Sequence, residues 1–218
     1  MYYFKKIYEL ILSLILPKEK DVLEIEKTRL EDFINNIPPA NEATDDNFQA
    51  IFQYRNKIAR RAVWEIKYRG NKAIIQNFAK ILYEFILTEL SEKVVFDNFT
   101  NPIIIPIPLS KSGLHERGFN QCELLVREIV KLDKNKNFTP DFSALTKTKN
   151  TPHQSKLKNK TRRLKNLDGC FIADKEKVSG KCIILIDDVI TTGATMNEAS
   201  KTLKKAGAKK VIGFAIAH

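Results

Sequence analysis

The segment IILIDDVITTGAT, residues 183–195, constrains the fold more than any other part of the sequence. Four large apolar residues lead directly into Asp187 and Asp188, and a loop of hydroxyl residues around Gly193 follows. A continuous apolar run of this kind is typical of a parallel strand that is covered on both faces. Ligands of an open parallel sheet bind at the carboxyl ends of its strands, where this acidic pair stands. The segment therefore predicts a ligand site.

The loop after the acidic pair has the features of a phosphate cradle. It leads into a predicted helix over residues 195–206, whose first backbone amides lack intrahelical partners and attract anions. Gly193 permits a positive φ and a close backbone approach, and the threonine hydroxyls add donors. Carboxylates beside such a cradle suit a vicinal diol or the water shell of magnesium. A phosphorylated sugar fits this combination better than a nucleoside triphosphate, because no G-K-[ST] lysine is present.

A simpler alternative is that the two acids cap the helix and that the threonines only form a turn. Two adjacent carboxylates at the end of a buried strand are costly to hold without a partner, and this favours the ligand site.

Strands and helices alternate along the sequence, which predicts an α/β fold with a doubly wound, mainly parallel sheet. Helices are predicted over the strongly basic residues 49–69, over 74–85 and over 119–132, where apolar residues recur with helical spacing. The predicted strands are short apolar runs bounded by proline, glycine or polar residues. They are NPIIIPIP, FSALTK, GCFIA, KCIILIDD and KKVIGFAIA.

A proline-rich stretch near residue 45 is the predicted boundary between an N-terminal helical segment, residues 1–48, and a main domain, residues 49–218. The apolar run over residues 7–16 resembles a signal peptide, but it contains Glu9, is too short to span a bilayer and lacks a small-residue cleavage site. We predict an amphipathic helix docked on the protein, with loose membrane-surface contact as the alternative. No other segment approaches transmembrane length.

The three cysteines of the sequence are far apart and form no C-x-x-C pair. Such sparse cysteines fit free thiols in a reducing cytosol, so we predict a cytoplasmic protein without a cysteine metal site.

The net charge of +11 suggests either a polyanionic partner or a generally basic surface. Much of the charge lies between Asp141 and Asp168, where no acidic residue occurs. Like charges repel one another, which predicts a segment that is mobile without a ligand. Its cations favour the backbone of a nucleic acid as a partner, with a solvated basic loop as the alternative. The predicted contacts are Lys156, Lys158, Lys160, Arg162 and Arg163.

Residues 183–195 resemble the phosphoribosyl pyrophosphate (PRPP) signature of the type I phosphoribosyltransferases. Two further segments, PIPLSKSGLHERGFNQCELL (106–125) and TPHQSKLKNKTRRLKNLDGCF (151–171), resemble the competence-associated ComF branch of these proteins. Upstream, FQYRNKIARRAVWEIKYRG (52–70) is similar to the segment that opens the ComF catalytic-type domain. The N-terminal zinc-binding cysteines of many ComF proteins are absent here.

The resemblance implies a type I phosphoribosyltransferase fold over the main domain, and PRPP or another phosphorylated ribose, with Mg²⁺, as the ligand. It implies catalytic roles for Asp187, Asp188 and Arg117, with the acids on the ribose hydroxyls and Arg117 on the pyrophosphate. The alternative for Arg117 is that it stabilises the following helix, and Lys111 is as well explained by simple exposure. The implied PRPP-binding residues are Asp187, Asp188, Val189, Thr191, Thr192, Gly193, Ala194, Thr195 and Lys111.

Two functions are compatible with these residues. One is Mg²⁺-dependent phosphoribosyl transfer to an unidentified acceptor, in a protein of DNA uptake and natural transformation. The other is a non-enzymatic PRPP sensor that binds single-stranded DNA. Trp64, Tyr68 and Phe119 are able to stack on a base, but core packing is the prediction for each. The acceptor and the oligomeric state, including a homo-oligomer, stay open.

Overall fold

The computed structural model describes residues 39–40, 47–149 and 168–218. The predicted N-terminal helical segment lies almost entirely outside the described residues, and so do the five predicted nucleic-acid contacts between Lys156 and Arg163. These predictions, and the domain division at residue 48, stay predictions.

The described part of the chain alternates between strands and helices, as the sequence predicts. Its elements, in chain order, are β1 Phe48–Phe52, α1 Lys57–Arg69, α2 Lys72–Asp97, β2 Ile103–Pro106, α3 Lys111–Arg117, α4 Gln121–Leu132, β3 Thr139–Pro140, β4 Leu145–Lys147, β5 Phe171–Ala173, α5 Lys175–Val178, β6 Cys182–Val189, α6 Ala194–Lys205 and β7 Lys210–Ala217.

Five of the strands form one sheet in the order β1-β7-β6-β2-β3, and every neighbouring pair in it is parallel. The strands β4 and β5 pair with each other in antiparallel fashion and form a separate ribbon. The predicted α/β fold with a mainly parallel sheet is therefore confirmed.

The first strand corrects the predicted helix over residues 49–69. Residues Phe48–Phe52 pair in parallel with β7, with Phe48 opposite Gly213, and the helix begins only at Lys57. Asn56 stops a continuous helix, because it has extended backbone angles and its side chain accepts hydrogen bonds from the amides of Ile58 and Ala59. A short apolar run such as FQAIF suits a strand as well as a helix, and pairing with β7 decides between them.

The strand β6 lies in the middle of the sheet and is covered on both faces. Ile184 and Ile186 pack into a core that includes residues of α1, α2 and α4. Ile183 and Leu185 pack into a second core, with residues of α6, on the opposite face. Double coverage explains why this strand reads as an unbroken apolar run, and it holds the residues at its carboxyl end in fixed positions.

No helix among the described residues has both the length and the apolar character needed to cross a membrane.

Candidate functional site

The predicted acidic pair lies near the carboxyl end of β6, where the sheet meets the loop before α6. Asp187 is 8% exposed and Asp188 is 3% exposed, so both carboxylates are removed from bulk water. Val189 completes the strand opposite Ala217 of β7. Two buried carboxylates are costly, so their stability depends on the groups that surround them.

Asp187 is held by its own neighbours. Its Oδ1 accepts a hydrogen bond of 2.8 Å from the backbone amide of Asp188, and the Cys122 thiol lies 3.5 Å from the same oxygen. Burial, and then the charge of Asp188, raise the pKa of Asp187 from 3.8 to about 7, although Lys67 and these hydrogen bonds act in the opposite direction. Asp187 therefore readily loses its proton near neutral pH when a cation nearby favours its ionised form.

Asp188 is paired with Lys67, which the sequence alone does not mark as a site residue. The Lys67 Nζ donates to Asp188 Oδ1 across 3.0 Å. Burial lowers the pKa of Lys67, but the charges of Asp188 and Asp187 outweigh that effect and the net pKa is raised. The second oxygen, Asp188 Oδ2, is buried and has no hydrogen-bond partner among the described residues. This oxygen therefore lacks the hydrogen bond that its burial calls for.

The loop after β6 has the geometry that was predicted for a phosphate cradle. Ile190 fixes its start by donating its amide to the carbonyl of Ala217 at 2.9 Å. Gly193 has φ 70° and occupies the N-cap position of α6, where no side chain caps the first amides. Thr192 Oγ1 is buried, and the described residues provide it with no partner. Uncapped amides and an unused hydroxyl at a helix N-terminus form a suitable environment for an anion.

The second predicted loop connects β2 to α3, next to the acidic pair in the sheet. It begins with Ile107, whose amide donates to the carbonyl of Ile186 at 2.9 Å. Ser110 caps α3 by accepting from the amide of Gly113 at 3.2 Å, and Lys111, the first residue of this helix, is exposed. A role of Lys111 in ligand binding stays a prediction.

Arg117, at the end of α3, makes the contact that its structural alternative requires. Its Nη1 donates to Gln121 Oε1 at the start of α4 across 2.9 Å. The guanidinium carbon lies 5.6 Å from the centroid of the Tyr68 ring, and Nε is buried with no partner in the described part of the chain. Arg117 therefore stabilises the following helix and still has an unused donor, and its catalytic role stays a prediction.

The RGFNQ segment connects this loop to α1 and to the acidic pair. Asn120 Nδ2 donates to the carbonyl of Ile107 at 3.1 Å, and its Oδ1 caps α4 by accepting from the amide of Cys122 at 3.0 Å. The Phe119 ring packs against Gly70, where the methyl group of an alanine would come within 3.1 Å of it. These residues position the site rather than supply its chemistry.

Lys147 is a second basic residue near the acids. It lies over the Phe171 ring at 5.7 Å, and its pKa is lowered, chiefly by burial, although Cys170 and Asp187 act in the opposite direction. Lys149 donates to the carbonyl of Asp168 at 3.1 Å. The Lys149 contact thus joins the two ends of the basic segment.

One group of potential metal ligands occurs within the described ranges. Single ligand atoms of Cys122, Asp187 and Asp188 lie within 4.8 Å of one another. Burial, followed by the two carboxylates, raises the pKa of the Cys122 thiol well above its usual value, so the sulfur stays protonated. The carboxylate oxygens are the atoms that suit a hard cation such as Mg²⁺.

The predicted core packing is wrong for two aromatic residues of α1. Trp64 is 39% exposed and Tyr68 is 51% exposed. Phe119 differs from them, because it is only half-buried but packs against Gly70.

Comparison with known proteins identifies a domain family and several relatives. The profile of the phosphoribosyl transferase domain matches residues 71–218, which include the acidic pair, the loop after it and Arg117. Competence protein ComFC of Bacillus subtilis (strain 168) is 36% identical over 160 residues, 73% of this chain and 58% of that protein. Competence protein ComFC of Streptococcus pneumoniae (strain ATCC BAA-255 / R6) is 32% identical over 176 residues, 80% of this chain and 70% of that protein.

A DNA utilization protein, YhgH of Escherichia coli O157:H7, is 35% identical over 108 residues, 50% of this chain and 45% of that protein. The chain thus spans only part of the length of each of these relatives. Lys67 and Trp64 lie before the residues that match the domain profile.

Proposed function

Because the chain belongs to the phosphoribosyl transferase domain family, and within it to the ComF family, we propose that it binds PRPP or another phosphorylated ribose at the end of β6. Two buried side-chain oxygens near this loop carry the proposal, because neither has a hydrogen-bond partner among the described residues. They are the acceptor Asp188 Oδ2 and the hydroxyl oxygen Thr192 Oγ1. Buried polar atoms without partners are rare in native proteins, and a ligand with hydroxyls and a phosphate satisfies both.

The ribose and its phosphate divide the site between them. Asp187 and Asp188 accept hydrogen bonds from the vicinal hydroxyls, while the amides of residues 191–195 and the Thr192 hydroxyl hold the 5-phosphate. The ligand competes with Lys67 for Asp188, since the ammonium group holds one oxygen of that carboxylate at 3.0 Å.

The two carboxylates also suit Mg²⁺, a hard cation that binds oxygen ligands from carboxylates and from the phosphates of its substrate. When bound, Mg²⁺ supplies neutralisation of the diphosphate charge.

Phosphoribosyl transfer breaks the bond from the ribose C1 to the diphosphate oxygen and forms a bond from C1 to the acceptor. Such a reaction depends on positioning and on neutralising charge more than on a protein nucleophile. Arg117, with its unused Nε, and exposed Lys111 are the groups of this chain that would stabilise the departing diphosphate.

We further propose that the protein acts in DNA uptake. Three relatives carry the names competence protein or DNA utilization protein, and the chain has a net charge of +11. The same charge favours the second candidate, a PRPP sensor without turnover that binds single-stranded DNA through Lys156, Lys158, Lys160, Arg162 and Arg163.

Isothermal titration calorimetry with PRPP and Mg²⁺ tests the site. We expect Asp188→Asn to weaken binding by at least tenfold, because Asn cannot replace the charge or both acceptor oxygens. Asp97→Asn is the matched control, since Asp97 is exposed and bonds to Lys210 at the start of β7, the other end of the sheet. The absence of binding by the unsubstituted protein would refute the proposal.

Release of pyrophosphate separates the two candidates. An enzyme releases it from PRPP when a mixture of nucleobase acceptors is supplied, and Asp188→Asn abolishes the release. A sensor binds PRPP in the calorimeter and releases none.

A further inference from the structure

The outward face of α1, together with Arg117 at the end of α3, presents two exposed aromatic rings and three guanidinium groups, and we call this surface the arginine–aromatic face. Its members are Trp64, Tyr68, Arg61, Arg69 and Arg117. The rings of Trp64 and Tyr68 lie 5.5 Å apart between centroids, with an angle of 43° between their planes. Trp64 is 39% exposed and Tyr68 is 51% exposed, so both rings contact solvent. The buried apolar residues of α1 lie on the opposite side of the helix.

The guanidinium groups lie over these rings. The guanidinium carbons of Arg61 and Arg69 lie 5.0 Å and 5.2 Å from the centroid of the Trp64 ring. Both arginines also pair with buried Glu65, at 3.2 Å and 3.3 Å from its Oε1. Glu65 is 1% exposed, so a buried carboxylate fixes two cations at the surface next to an aromatic ring.

Cations outnumber carboxylates on α1. Glu65 is the only carboxylate in the sequence of α1, and it is buried. The five cationic residues of the helix are Lys57, Arg60, Arg61, Lys67 and Arg69. A face that offers cations and aromatic rings, without an exposed carboxylate from its own helix, is complementary to a ligand that alternates phosphates with flat rings.

We infer that the arginine–aromatic face binds single-stranded DNA, with bases stacked against Trp64 and Tyr68 and backbone phosphates beside the arginines. Proteins that bind single strands combine aromatic platforms with a cationic path for the backbone. Double-stranded DNA offers the phosphates but not the faces of its bases, so the rings favour a single strand. The inference gives the second candidate function a described surface in place of the segment that lies outside the described residues. It does not require the ribose phosphate site.

The single tryptophan of the chain makes this face directly observable, because all tryptophan fluorescence comes from Trp64. The experiment titrates the full-length protein with a fluorescein-labelled oligo(dT) for anisotropy and with unlabelled oligo(dT) for Trp64 quenching. An abasic oligonucleotide of the same length supplies the phosphates without the bases.

Four substitutions complete the design. Trp64→Leu and Tyr68→Leu remove a ring and keep an apolar side chain, and Tyr68→Phe keeps the ring. Phe96→Leu is the matched control, because Phe96 is 84% exposed and adjoins Asp97, which bonds to Lys210 at the opposite end of the sheet. Thermal unfolding verifies that each variant is folded.

We expect oligo(dT) to quench Trp64, and each leucine substitution on α1 to weaken oligo(dT) binding by about tenfold. Tyr68→Phe and Phe96→Leu leave the affinity unchanged, and the abasic strand binds more weakly than oligo(dT). Equal binding of the abasic strand and oligo(dT), or equal losses for Phe96→Leu and Trp64→Leu, would overturn the inference. A nucleoside monophosphate that quenches Trp64 at the same concentration as oligo(dT) would also overturn it, since the face would then bind a single base.

The same variants are titrated with PRPP and Mg²⁺. If both leucine variants bind PRPP normally and keep their DNA affinity, only the inference that this face binds DNA is refuted. The expected DNA pattern in a protein that does not bind PRPP refutes only the ribose phosphate site.

Discussion

Replacing Lys67 with methionine removes the ammonium group that pairs with Asp188 and keeps a side chain of similar length. Asp188 is 3% exposed, so its charge would lose its partner inside the protein. Breaking a buried ion pair from one side costs about 3–5 kcal/mol. The Lys67 side chain is 22% exposed and water reaches that side of the pair, so we expect a cost somewhat below this range, about 2–3 kcal/mol.

The loss is measured by urea unfolding at pH 8, which lies above the pKa of about 7 of the neighbouring Asp187. In a chain of this size, it corresponds to a fall in Tm of about 4–12 °C. Lys57→Met is the matched control, because Lys57 is exposed at the start of the same helix, and we expect its effect to be within about 0.5 kcal/mol. Millimolar Mg²⁺ should stabilise Lys67→Met more than the unsubstituted protein, since a cation then replaces the lost ammonium group.

A double variant tests whether the charge is the cause. Lys67→Met combined with Asp188→Asn removes both charges, so it should recover part of the stability that Lys67→Met loses. The reasoning is refuted if Lys67→Met is as stable as the unsubstituted protein at pH 8. It is also refuted if the double variant is no more stable than Lys67→Met.

Three further measurements follow from the same site. The pKa of Asp187 is raised from 3.8 to about 7, so the contribution of this group to the free energy of unfolding should be greatest below pH 4. That contribution should fall by at most about 4 kcal/mol as the pH rises from 4 through 7. Asp187→Asn should flatten this pH dependence in urea titrations. Gly193 has φ 70°, and an alanine methyl there would lie 3.2 Å from Asn197 Nδ2, so Gly193→Ala should lower the free energy of unfolding by about 1–2 kcal/mol and weaken PRPP binding in calorimetry. Gly180 has φ 72° but faces open space, so Gly180→Ala should lower stability and leave PRPP binding unchanged. Asn120→Ala removes a helix cap and a bond to the loop after β2, and thermal unfolding should show a loss of about 1–2 kcal/mol.

The central strand and its loop could be predicted because their signals are local. An apolar run, two adjacent acids and a glycine with positive φ all occur within residues 183–195, and the structure keeps them in one strand, loop and helix start. The strand β1 could not be predicted in the same way. Its five residues suit either secondary structure, and the partner that decides, β7, is about 165 residues away along the chain.

Lys67 was missed for a related reason. Nothing adjacent in the sequence marks it, because its partner Asp188 comes from another element. The only local sign is its position four residues after buried Val63, at the edge of the apolar face of α1. A buried acidic pair requires a cation, and this requirement could have directed the search to basic residues at such edges.

The exposure of Trp64 and Tyr68 follows from the helical period of α1. The buried small and aliphatic residues of this helix fall on one side. Trp64 and Tyr68, with Arg61 three residues before Trp64, fall on the other. Glu65 breaks this pattern, since it is charged and buried, and its two arginine partners explain the exception.

One helix therefore serves two surfaces. Lys67 reaches from α1 to Asp188, while the next residue, Tyr68, lies beside Arg117 on the arginine–aromatic face. If the proposed ribose phosphate displaces Lys67 from Asp188, it would remove a contact that holds α1 to the sheet, and would so act on the helix that presents Trp64 and Tyr68. If both ligands bind, linkage requires that each changes the affinity of the other by the same factor. The matched domain profile begins at residue 71, so this connection depends on a helix that precedes it.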